Sequence, residues 1–409
     1  MGKIKTTITG YGYDGEGVGR VDGKVVFVPY TLRDEVVEAE IEMSKSSFCK
    51  GKLSQVCVAS KDRTTPPCQY FSRCGGCAFQ HTDYDNELNI KLEVLKSHLA
   101  KIGFDQKVDI ISSQKQYGYR NKIKLFVGKD GLSLKERGSD NLVAIKKCML
   151  VEDKINEAID KIQTFLKSTK SCTDYSQVVI RKEANALLVN FYKTNEKLKN
   201  YQGLYLMLGS TCGIFETFKS KTEHMIGLHE IECDEFGLEC SFSARSFHQV
   251  NEGVEERLYD DVINNILGNN IINCYSGAGV LSGMIAKQGK RVVGIELGEY
   301  EHQNAQEMKE KNNLFYLTNY LGDCGKVLPK LTGEFDTIIV DPPRAGLGKE
   351  VVSALNSMNF KRLIYVSCNS ATCVRDIQRL NGFKLQKVSM YDMFSRTSEF
   401  EIMAVLDKE

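Results

Sequence analysis

The sequence predicts a doubly wound α/β parallel sheet over its C-terminal part, preceded by a small N-terminal β-barrel and a central α+β segment. Three observations carry that prediction. From Ile271 onward, short apolar runs alternate with helical stretches, the pattern of a parallel sheet with crossover helices. The first of these runs ends in Ser276-Gly-Ala-Gly279 and the next in Glu296, the glycine-then-acid order of a nucleotide-type, Rossmann-like sheet. The first sixty residues hold instead several short β-rich runs separated by glycine turns. The expected boundaries are 1–60 for the barrel, 61–240 for the central part and 241–409 for the doubly wound domain.

With 409 residues the chain is long enough for two or three domains at roughly 150 residues each. An apolar share of 42% and a charged share of 26% are those of an ordinary globular protein, and a net charge of +1 gives no global pull toward nucleic acid. No apolar run approaches the ~20 residues of a membrane span, and the N-terminus has no signal-peptide core, so a cytoplasmic protein without a membrane partner is expected. Residues 1–6 formally fit an acylation pattern, but nothing else supports an anchor. Fourteen cysteines are too dispersed for a secreted disulfide scaffold and point to metal binding or catalysis.

Taken in order, residues 3–60 alternate turns such as Gly15-Glu-Gly-Val-Gly19 with strands such as Lys24-Val-Val-Phe-Val28, about five strands in all, which suits a small barrel. Such barrels often bind oligonucleotides, and this one resembles a TRAM domain, the RNA-binding barrel of several RNA-modifying enzymes. Cys68, Cys74 and Cys77 follow, separated by five and then two residues, with Gly75 and Gly76 inside the tighter pair. Such a loop can bend around a metal, and Cys148 offers a fourth ligand. The spacing alone fits an iron–sulfur cluster and zinc equally. Leu88, Leu92, Leu95, Leu99 and Ile102 then repeat at helical spacing after Asp85, a candidate cap, and stop at Gly103. A packing helix over 85–103 is expected, set against the C-terminal domain.

Between Lys115 and Lys147 nine Lys or Arg stand against three acids, on strand-like runs at 119–126, 131–134 and 141–145. This basic sheet is either a solvated face or a nucleic-acid surface. Residues 150–240 say less: a helix near 154–166, strands near 178–180 and 186–191, and Cys172, Cys212, Cys233 and Cys240 without metal spacing. Ser246-Phe-His-Gln-Val-Asn251 precedes an amphipathic helix marked by Val254, Leu258, Val262 and Ile266. His248 there reads first as a packing or capping residue and second as a catalytic one.

In the doubly wound part, Gly277 and Gly279 let the turn after the first strand approach a ligand closely. Glu296 lies 17 residues beyond Gly279, near the spacing at which an acid meets ribose hydroxyls. The third glycine of a dinucleotide fingerprint is missing, so S-adenosylmethionine fits better. A third strand at 314–319 is followed by Gly322-Asp323, and a fourth at 335–340 ends in Asp341-Pro-Pro-Arg344, either a rigid turn or a functional loop. A fifth run, 363–366, stops at Ser367-Cys368-Asn369, with a helix from Ala371 onward. A free cysteine usually behaves as a small buried hydrophobe. One just past the carboxyl end of a strand in an open α/β sheet is also placed to meet a substrate.

Asp341-Pro-Pro-Arg344, Ser367-Cys368-Asn369 and Met393-Phe-Ser-Arg-Thr397-Ser-Glu-Phe-Glu401 together resemble the RNA (uracil-5-)-methyltransferase family. With the barrel, the cysteine set and the 246–251 segment, the resemblance spans nearly the whole chain. Barrel plus four cysteines is most similar to the 23S ribosomal RNA enzymes, since the usual bacterial transfer-RNA relatives lack both. The resemblance implies methylation of a 23S rRNA uridine at carbon 5, with S-adenosyl-L-methionine as cofactor, RNA as partner and no obligate protein partner. Cys368 matches the family nucleophile and Glu401 the base. Gln249, Tyr275, Gly277, Gly279, Glu296, Asp323 and Asp341 match the cofactor site, with Glu296 at the ribose and Asp323 near the adenine. Asp341 and Arg344 also line the uracil position, and Arg120 and Lys122 are the expected contacts of the basic sheet with RNA. Cys68, Cys74, Cys77 and Cys148 match the ligands of a structural [4Fe-4S] cluster. Two departures stand out: Ser395-Arg-Thr397 where the family usually has Pro-His-Thr, and Gly279-Val280 where it has Gly-Asn.

The chemistry accounts for these residue types. Carbon 5 of uracil is too weak a nucleophile to take a methyl group unaided, so a thiolate first adds to carbon 6 and makes an enolate. After methyl transfer a base removes the proton on carbon 5 and the thiol leaves. The target must also leave its stack to be reached. A cytosine-specific enzyme would share the thiol chemistry but typically carries Pro-Cys where this chain has Asp341-Pro-Pro. A tRNA uracil enzyme is the nearest alternative. A radical iron–sulfur enzyme fits less well, because the cysteine triplet lacks its three-then-two spacing. A non-catalytic RNA-binding or assembly factor would tolerate loss of Cys368 and Glu401, which this chain retains.

Overall fold

The computed structural model describes every residue except 1, 198, 247 and 248, so the reading of His248 lies outside the described residues. The chain divides into two compact units. One comprises Met1–Asp105, Leu134–Val143 and Phe394–Phe400, the other Gln106–Ser133, Ala144–Met393 and Glu401–Glu409.

The first unit opens with β1 (Lys3–Thr7), β2 (Gly10–Tyr11), β3 (Gly17–Val21), β4 (Lys24–Val28), β5 (Val36–Ser44) and β6 (Phe48–Val58), in the spatial order β1-β5-β6-β4-β3-β2. Thr6 Oγ1 accepts from Arg20 N at 3.2 Å and donates to Arg20 O at 3.0 Å, which ties β1 back to β3 and curls the sheet on itself. Alternation along the strands fills the interior with Ile8, Val26, Val28, Val37, Ala39 and Cys49.

A helix, Tyr84–Leu99, continues as a single 3-10 turn, Ala100–Ile102, and ends at Gly103 in the left-handed region. Its cap is Asp83, which accepts from Asn86 N at 2.7 Å. Asp85 falls inside the first turn instead, where an acid suits the helix dipole but cannot take the non-helical backbone of a cap. The buried face carries Ile90, Val94, Leu95 and Leu99, together with the ion pair Glu87–Lys91 at 2.8 Å. That pair fastens the segment 394–400. Arg396 N donates to Glu87 Oε1 at 2.7 Å, the Arg396 guanidinium lies 3.4 Å from Glu87 Oε2, and Lys91 Nζ donates to Phe394 O at 3.3 Å.

Next in the chain come β7 (Asp109–Ile111), β8 (Lys122–Gly128), β9 (Gly131–Lys135), β10 (Leu142–Ala144), β11 (Tyr175–Glu183), β12 (Ala186–Lys193), β13 (Cys212–Phe218) and β14 (Lys221–Gly227). All but β7 form one sheet, ordered β10-β9-β8-β11-β12-β13-β14. The first basic strand starts at Lys122 rather than at 119, because the preceding N–H groups are used elsewhere: Arg120 N donates to Leu150 O at 2.9 Å and Asn121 N to Val250 O at 3.3 Å. The helix Asp153–Ser168 buries a stripe of Ile155, Ile159, Ile162 and Leu166. A hairpin, β15 (Glu230–Glu235) and β16 (Leu238–Ser243), precedes the helix Glu252–Asn264.

The remaining strands are β17 (Asn270–Cys274), β18 (Arg291–Glu296), β19 (Leu317–Leu321), β20 (Thr337–Val340), β21 (Arg362–Ser367), β22 (Phe383–Tyr391) and β23 (Glu401–Lys408). With β7 they make an eight-stranded sheet, ordered β19-β18-β17-β20-β21-β23-β22-β7. The first five in that order run parallel, as the alternation from Ile271 predicts, and β23 returns antiparallel between β21 and β22. Strand β19 starts at Leu317 rather than 314, since Leu314 O accepts from Leu317 N in a turn. Among the described residues no helix is long and apolar enough to cross a membrane.

Candidate active site

In an open α/β sheet, ligands bind outside the carboxyl ends of the strands where the strand order reverses. Here β17 pairs in parallel with β18 on one side and β20 on the other, and the loops beyond them hold most of the expected cofactor residues. Tyr275 takes φ 60°, uncommon for a residue with a side chain, and is followed by Gly277 at 56° and Gly279 at 84°. A Cβ on Gly279 would stand 2.8 Å from Ala305 Cβ, so only glycine fits there. Glu296 closes this turn: one carboxylate oxygen accepts from Gly277 N at 2.8 Å and the other from Gly298 N at 2.7 Å. Asp323 caps the short helix Cys324–Val327 after β19. Burial, followed by the influence of Cys324, Cys274, Asp323 and Asp376, pushes the Tyr275 phenol well above its usual range.

Asp341 is the first residue after β20, and its N–H reaches Cys274 O at 3.4 Å. Burial pushes its carboxyl up to about 7. Tyr259, on the helix Glu252–Asn264, lies within electrostatic reach of the buried Glu255 and of Asp341; burial pushes its phenol up strongly. Neither Tyr259 nor Glu255 was legible as a site residue, because both sit among the apolar repeats of a packing helix. Arg344 is exposed, and its carbonyl accepts from Thr372 Oγ1 at 3.2 Å.

Beyond β21 the chain turns sharply. Ser367 Oγ accepts from Asn369 N and donates to Asn369 O, both at 3.1 Å. Asn369 caps the helix Ser370–Ile377 by accepting from Ala371 N at 3.0 Å and Thr372 N at 3.1 Å. Cys368 is half-buried between the strand end and this cap. The last antiparallel pair between β21 and β23 is Ser367 with Ile402; Cys368 follows the first and Glu401 precedes the second, and Glu401 is buried and pairs with Tyr391.

Gln249 reaches the same unit's basic strand through backbone: its carbonyl accepts from Asn121 Nδ2 at 3.2 Å. Asn251 Nδ2 donates to Ser113 Oγ at 3.0 Å and to Met393 O at 3.3 Å. The 249–251 segment is thereby stitched to the residues flanking Arg120 and Lys122. Lys122 lies opposite Arg181 across the β8–β11 pair. Burial first, then Arg181 and Arg120, lower its ammonium to about 8. Arg181 is itself buried, donates to Ser246 O and faces Glu183 at 3.6 Å.

In the first unit Gln80 bridges two of the cysteines, accepting from Cys68 N at 3.2 Å and donating from Nε2 to Cys77 Sγ at 3.1 Å. Gly76 N approaches Cys74 Sγ at 3.4 Å. N–H groups aimed at sulfur suit thiolate ligands, so the donor chemistry fits iron–sulfur or zinc. Among the described residues, no three His, Cys, Asp or Glu side chains are grouped closely enough to hold a metal ion. Cys148, in the second unit, is held by Asn156, whose Oδ1 accepts from Cys148 N at 2.9 Å and whose Nδ2 donates to Cys148 O at 3.0 Å.

Known proteins show the same combination of parts. A family profile described as tRNA (Uracil-5-)-methyltransferase matches residues 330–409, which hold Asp341, Cys368 and Glu401, and a TRAM-domain profile matches residues 3–54. The chain is 29% identical over 439 residues to the 23S rRNA (uracil(1939)-C(5))-methyltransferase RlmD of Francisella tularensis subsp. novicida, covering 100% of this chain and 97% of that protein. It is 30% identical over 449 residues to an RNA methyltransferase of Caldanaerobacter subterraneus subsp. tengcongensis, covering 99% and 98%. Among solved structures, the Pyrococcus abyssi tRNA (uracil-54, C5)-methyltransferase in complex with S-adenosyl-L-homocysteine matches with a TM-score of 0.81 and 26% identity, over 98% of this chain and 100% of that one. Similar to its relatives from end to end, and carrying both profiles, the chain belongs to the TRAM-containing RNA (uracil-5-)-methyltransferase family.

Proposed function

We propose that this protein methylates a uridine of 23S ribosomal RNA at carbon 5, with S-adenosylmethionine as methyl donor. The observation that carries the reading is that Cys368 and Glu401 each adjoin the same terminal pair of the β21–β23 ladder, Ser367 with Ile402, beside the reversal of strand order. Cys368 Sγ forms a bond to carbon 6 of the uracil, and the ring's double-bond electrons move onto carbon 5 and the carbon-4 carbonyl. S-adenosylmethionine, when bound, supplies an electrophilic methyl group to carbon 5. Glu401 then takes the carbon-5 proton, the double bond re-forms, and Cys368 leaves as thiolate. Asp341 and Arg344 orient the base.

Gln249, Tyr275, Gly277, Gly279, Glu296, Asp323 and Asp341 form the cofactor site in this reading. Glu296 already spends one acceptor position of each oxygen on a backbone N–H, and a carboxylate has about four in total. The other two are suited to the ribose hydroxyls. Arg120, Lys122 and the exposed cations around them, with the N-terminal barrel, contact the RNA. Cys68, Cys74, Cys77 and Cys148 hold a structural [4Fe-4S] cluster; their spacing and the donors aimed at Cys74 and Cys77 suit a thiolate-bound metal, and the resemblance favours the cluster over zinc. Iron and sulfide in anaerobically purified protein, lost in Cys77→Ser, is the expected result. The protein works in the cytoplasm, with its RNA.

Full-length similarity to RlmD favours ribosomal RNA, while the equally extensive match to the archaeal tRNA enzyme supports tRNA as the second reading. The test incubates the protein and S-adenosylmethionine with rRNA fragments or tRNA carrying 5-fluorouridine, whose fluorine blocks proton removal. A denaturant-resistant adduct at Cys368 with rRNA, absent in Cys368→Ala, is expected. Adducts with tRNA alone move the substrate to the second reading, and none with either RNA from folded, cofactor-binding protein overturns catalysis.

A further inference from the structure

One buried carboxylate joins the loop after β20 to the helix that follows Cys368. Asp376, on the helix Ser370–Ile377, has no exposed surface. Its Oδ2 accepts from Leu347 N at 2.7 Å and from Tyr365 Oη at 2.9 Å. Its Oδ1 accepts from Arg375 Nε at 3.0 Å, Arg375 Nη2 at 2.8 Å and Arg379 Nη1 at 2.9 Å. The same helix reaches the loop directly. Thr372 Oγ1 donates to Arg344 O at 3.2 Å, Arg375 Nη2 to Ala345 O at 2.7 Å and Arg379 Nη1 to Leu347 O at 3.2 Å. Between them, Gly346 takes φ +77°, and a Cβ there would collide with Asp376 Oδ2. Each residue from 344 to 347 is therefore bonded to the helix or pressed against it.

Burying a carboxylate, even beside two partly exposed guanidinium groups, carries a desolvation cost that apolar packing would avoid, so net stability is a weak reason for such a cluster. Directional bonds give something apolar packing does not, a fixed geometry between the two elements. The helix is capped by Asn369, immediately after Cys368, and the loop starts at Asp341. Nucleophile and base-holding loop thus belong to one rigid piece. Asp376 itself lies eight positions along from Cys368, about 12 Å at the helical rise of 1.5 Å per residue.

We propose that Asp376 is a positioning residue for the methyl transfer: through this lock it sets the approach of the Cys368 thiol to the uracil held by Asp341 and Arg344. The proposal rests on the roles assigned above to those three residues. Bond formation needs reacting atoms about 3–3.5 Å apart in line, and a misplacement near 1 Å can cost about a hundredfold in rate. Loss of the lock therefore slows thiol addition in the assembled complex and leaves binding intact.

The test measures single-turnover adduct formation between the full-length protein and a 5-fluorouridine rRNA fragment at saturating RNA and S-adenosylmethionine. RNA affinity, cofactor affinity and melting temperature are measured alongside. Asp376→Asn keeps an oxygen for Leu347 N–H and Tyr365 O–H but loses the charge facing both arginines. It should slow the adduct about tenfold, and Asp376→Ala about a hundredfold, with both affinities within about threefold of wild type. Should Asp376→Ala fail to fold, Thr372→Val and Tyr365→Phe each delete one bond of the lock and should each slow the adduct about threefold. Wild-type adduct rates in Asp376→Asn and both single-bond variants overturn the proposal, as does a loss that appears only in RNA or cofactor affinity. No adduct from wild type would remove the reaction itself, and the positioning role with it.

Discussion

Glu401 opens β23 one residue before Ile402, and Cys368 follows Ser367, the strand partner of Ile402, so both residues adjoin the last pair of the β21–β23 ladder. Directly opposed residues of an antiparallel pair have Cα atoms about 4.5–5.5 Å apart, so residues that adjoin one such pair share a neighbourhood. The 33-residue excursion from Cys368 to Glu401 is closed by the return of β23 alongside β21. A thiol that adds to one ring carbon and a carboxylate that deprotonates the next need this kind of neighbourhood.

In the proposed reaction the two residues act at different steps, so their variants should fail differently. Cys368→Ala should form no covalent complex and no methylated RNA. Glu401→Gln should add, accept the methyl group and stop, leaving a methylated RNA–protein adduct with ordinary uridine and a turnover slowed about 10²- to 10⁴-fold. Denaturing gels with a radiolabelled methyl donor distinguish the two. Normal turnover by Glu401→Gln would give the proton-removal step to another group.

Asp341 predicts a pH dependence of cofactor binding. Its carboxyl titrates near about 7 in the free protein because burial disfavours the charged form. A sulfonium cation favours the ionised form, so binding below that pH must expel a proton. Affinity for S-adenosylmethionine should rise up to about tenfold per pH unit below about 7 and level off above it, with proton release visible as a buffer-dependent binding enthalpy. Asp341→Asn should bind more weakly with a flat profile. A wild-type affinity that stays constant from about pH 5.5 to about 8 would set Asp341 apart from the charge of the cofactor.

What was legible in the sequence was local. The alternation from Ile271, the glycines at 277 and 279, Glu296 at its distance and the strand-to-helix stop at Cys368 each depend on neighbours along the chain, and the structure has them at the strand ends the pattern predicts. The strand starts at Lys122 and Leu317 and the cap at Asp83 were displaced by a few residues, because the competing hydrogen bonds come from Leu150, Val250, Leu314 and Asn86. Asp376 was not legible at all. Between Arg375 and Arg379 it reads as part of a solvated helix face, and only the partners Leu347, from the loop after β20, and Tyr365, from β21, bury it. Glu401 entered through family resemblance, since no periodicity announces that β23 will run back beside β21.

The arginine that replaces the family's usual histidine has a structural answer in Glu87. Arg396 is buried, takes φ 66°, and gives its N–H and guanidinium to Glu87, which also binds Lys91. Removing the charge at Glu87 leaves two buried cations facing a neutral group. Glu87→Gln should destabilise the protein by about 3–5 kcal/mol, whereas Glu93→Gln, at an exposed ion pair with Arg33, should cost less than about 1 kcal/mol. Denaturant unfolding of the two variants measures the contrast, and equal losses would mean that the buried site is not energetically special.

Glu35 predicts where the fold weakens in acid. Burial pushes its carboxyl up, but hydrogen bonds from Arg63, Leu32 N–H and Ser60 N–H, with the charge of Arg63, more than offset this and leave it below the usual value. A carboxylate depressed in the folded state contributes stability that is fully present above its unfolded value, about 4.3, and is lost as pH falls through the folded one. Glu35→Gln should therefore melt well below wild type at pH 7, and the gap should begin to shrink as pH falls below about 4.3 and close once pH lies below the depressed folded value, where wild type also carries a neutral group. Melting curves across that range provide the check. A gap that stays constant into acid would show that Glu35 acts through shape and hydrogen bonding, with no contribution from its charge.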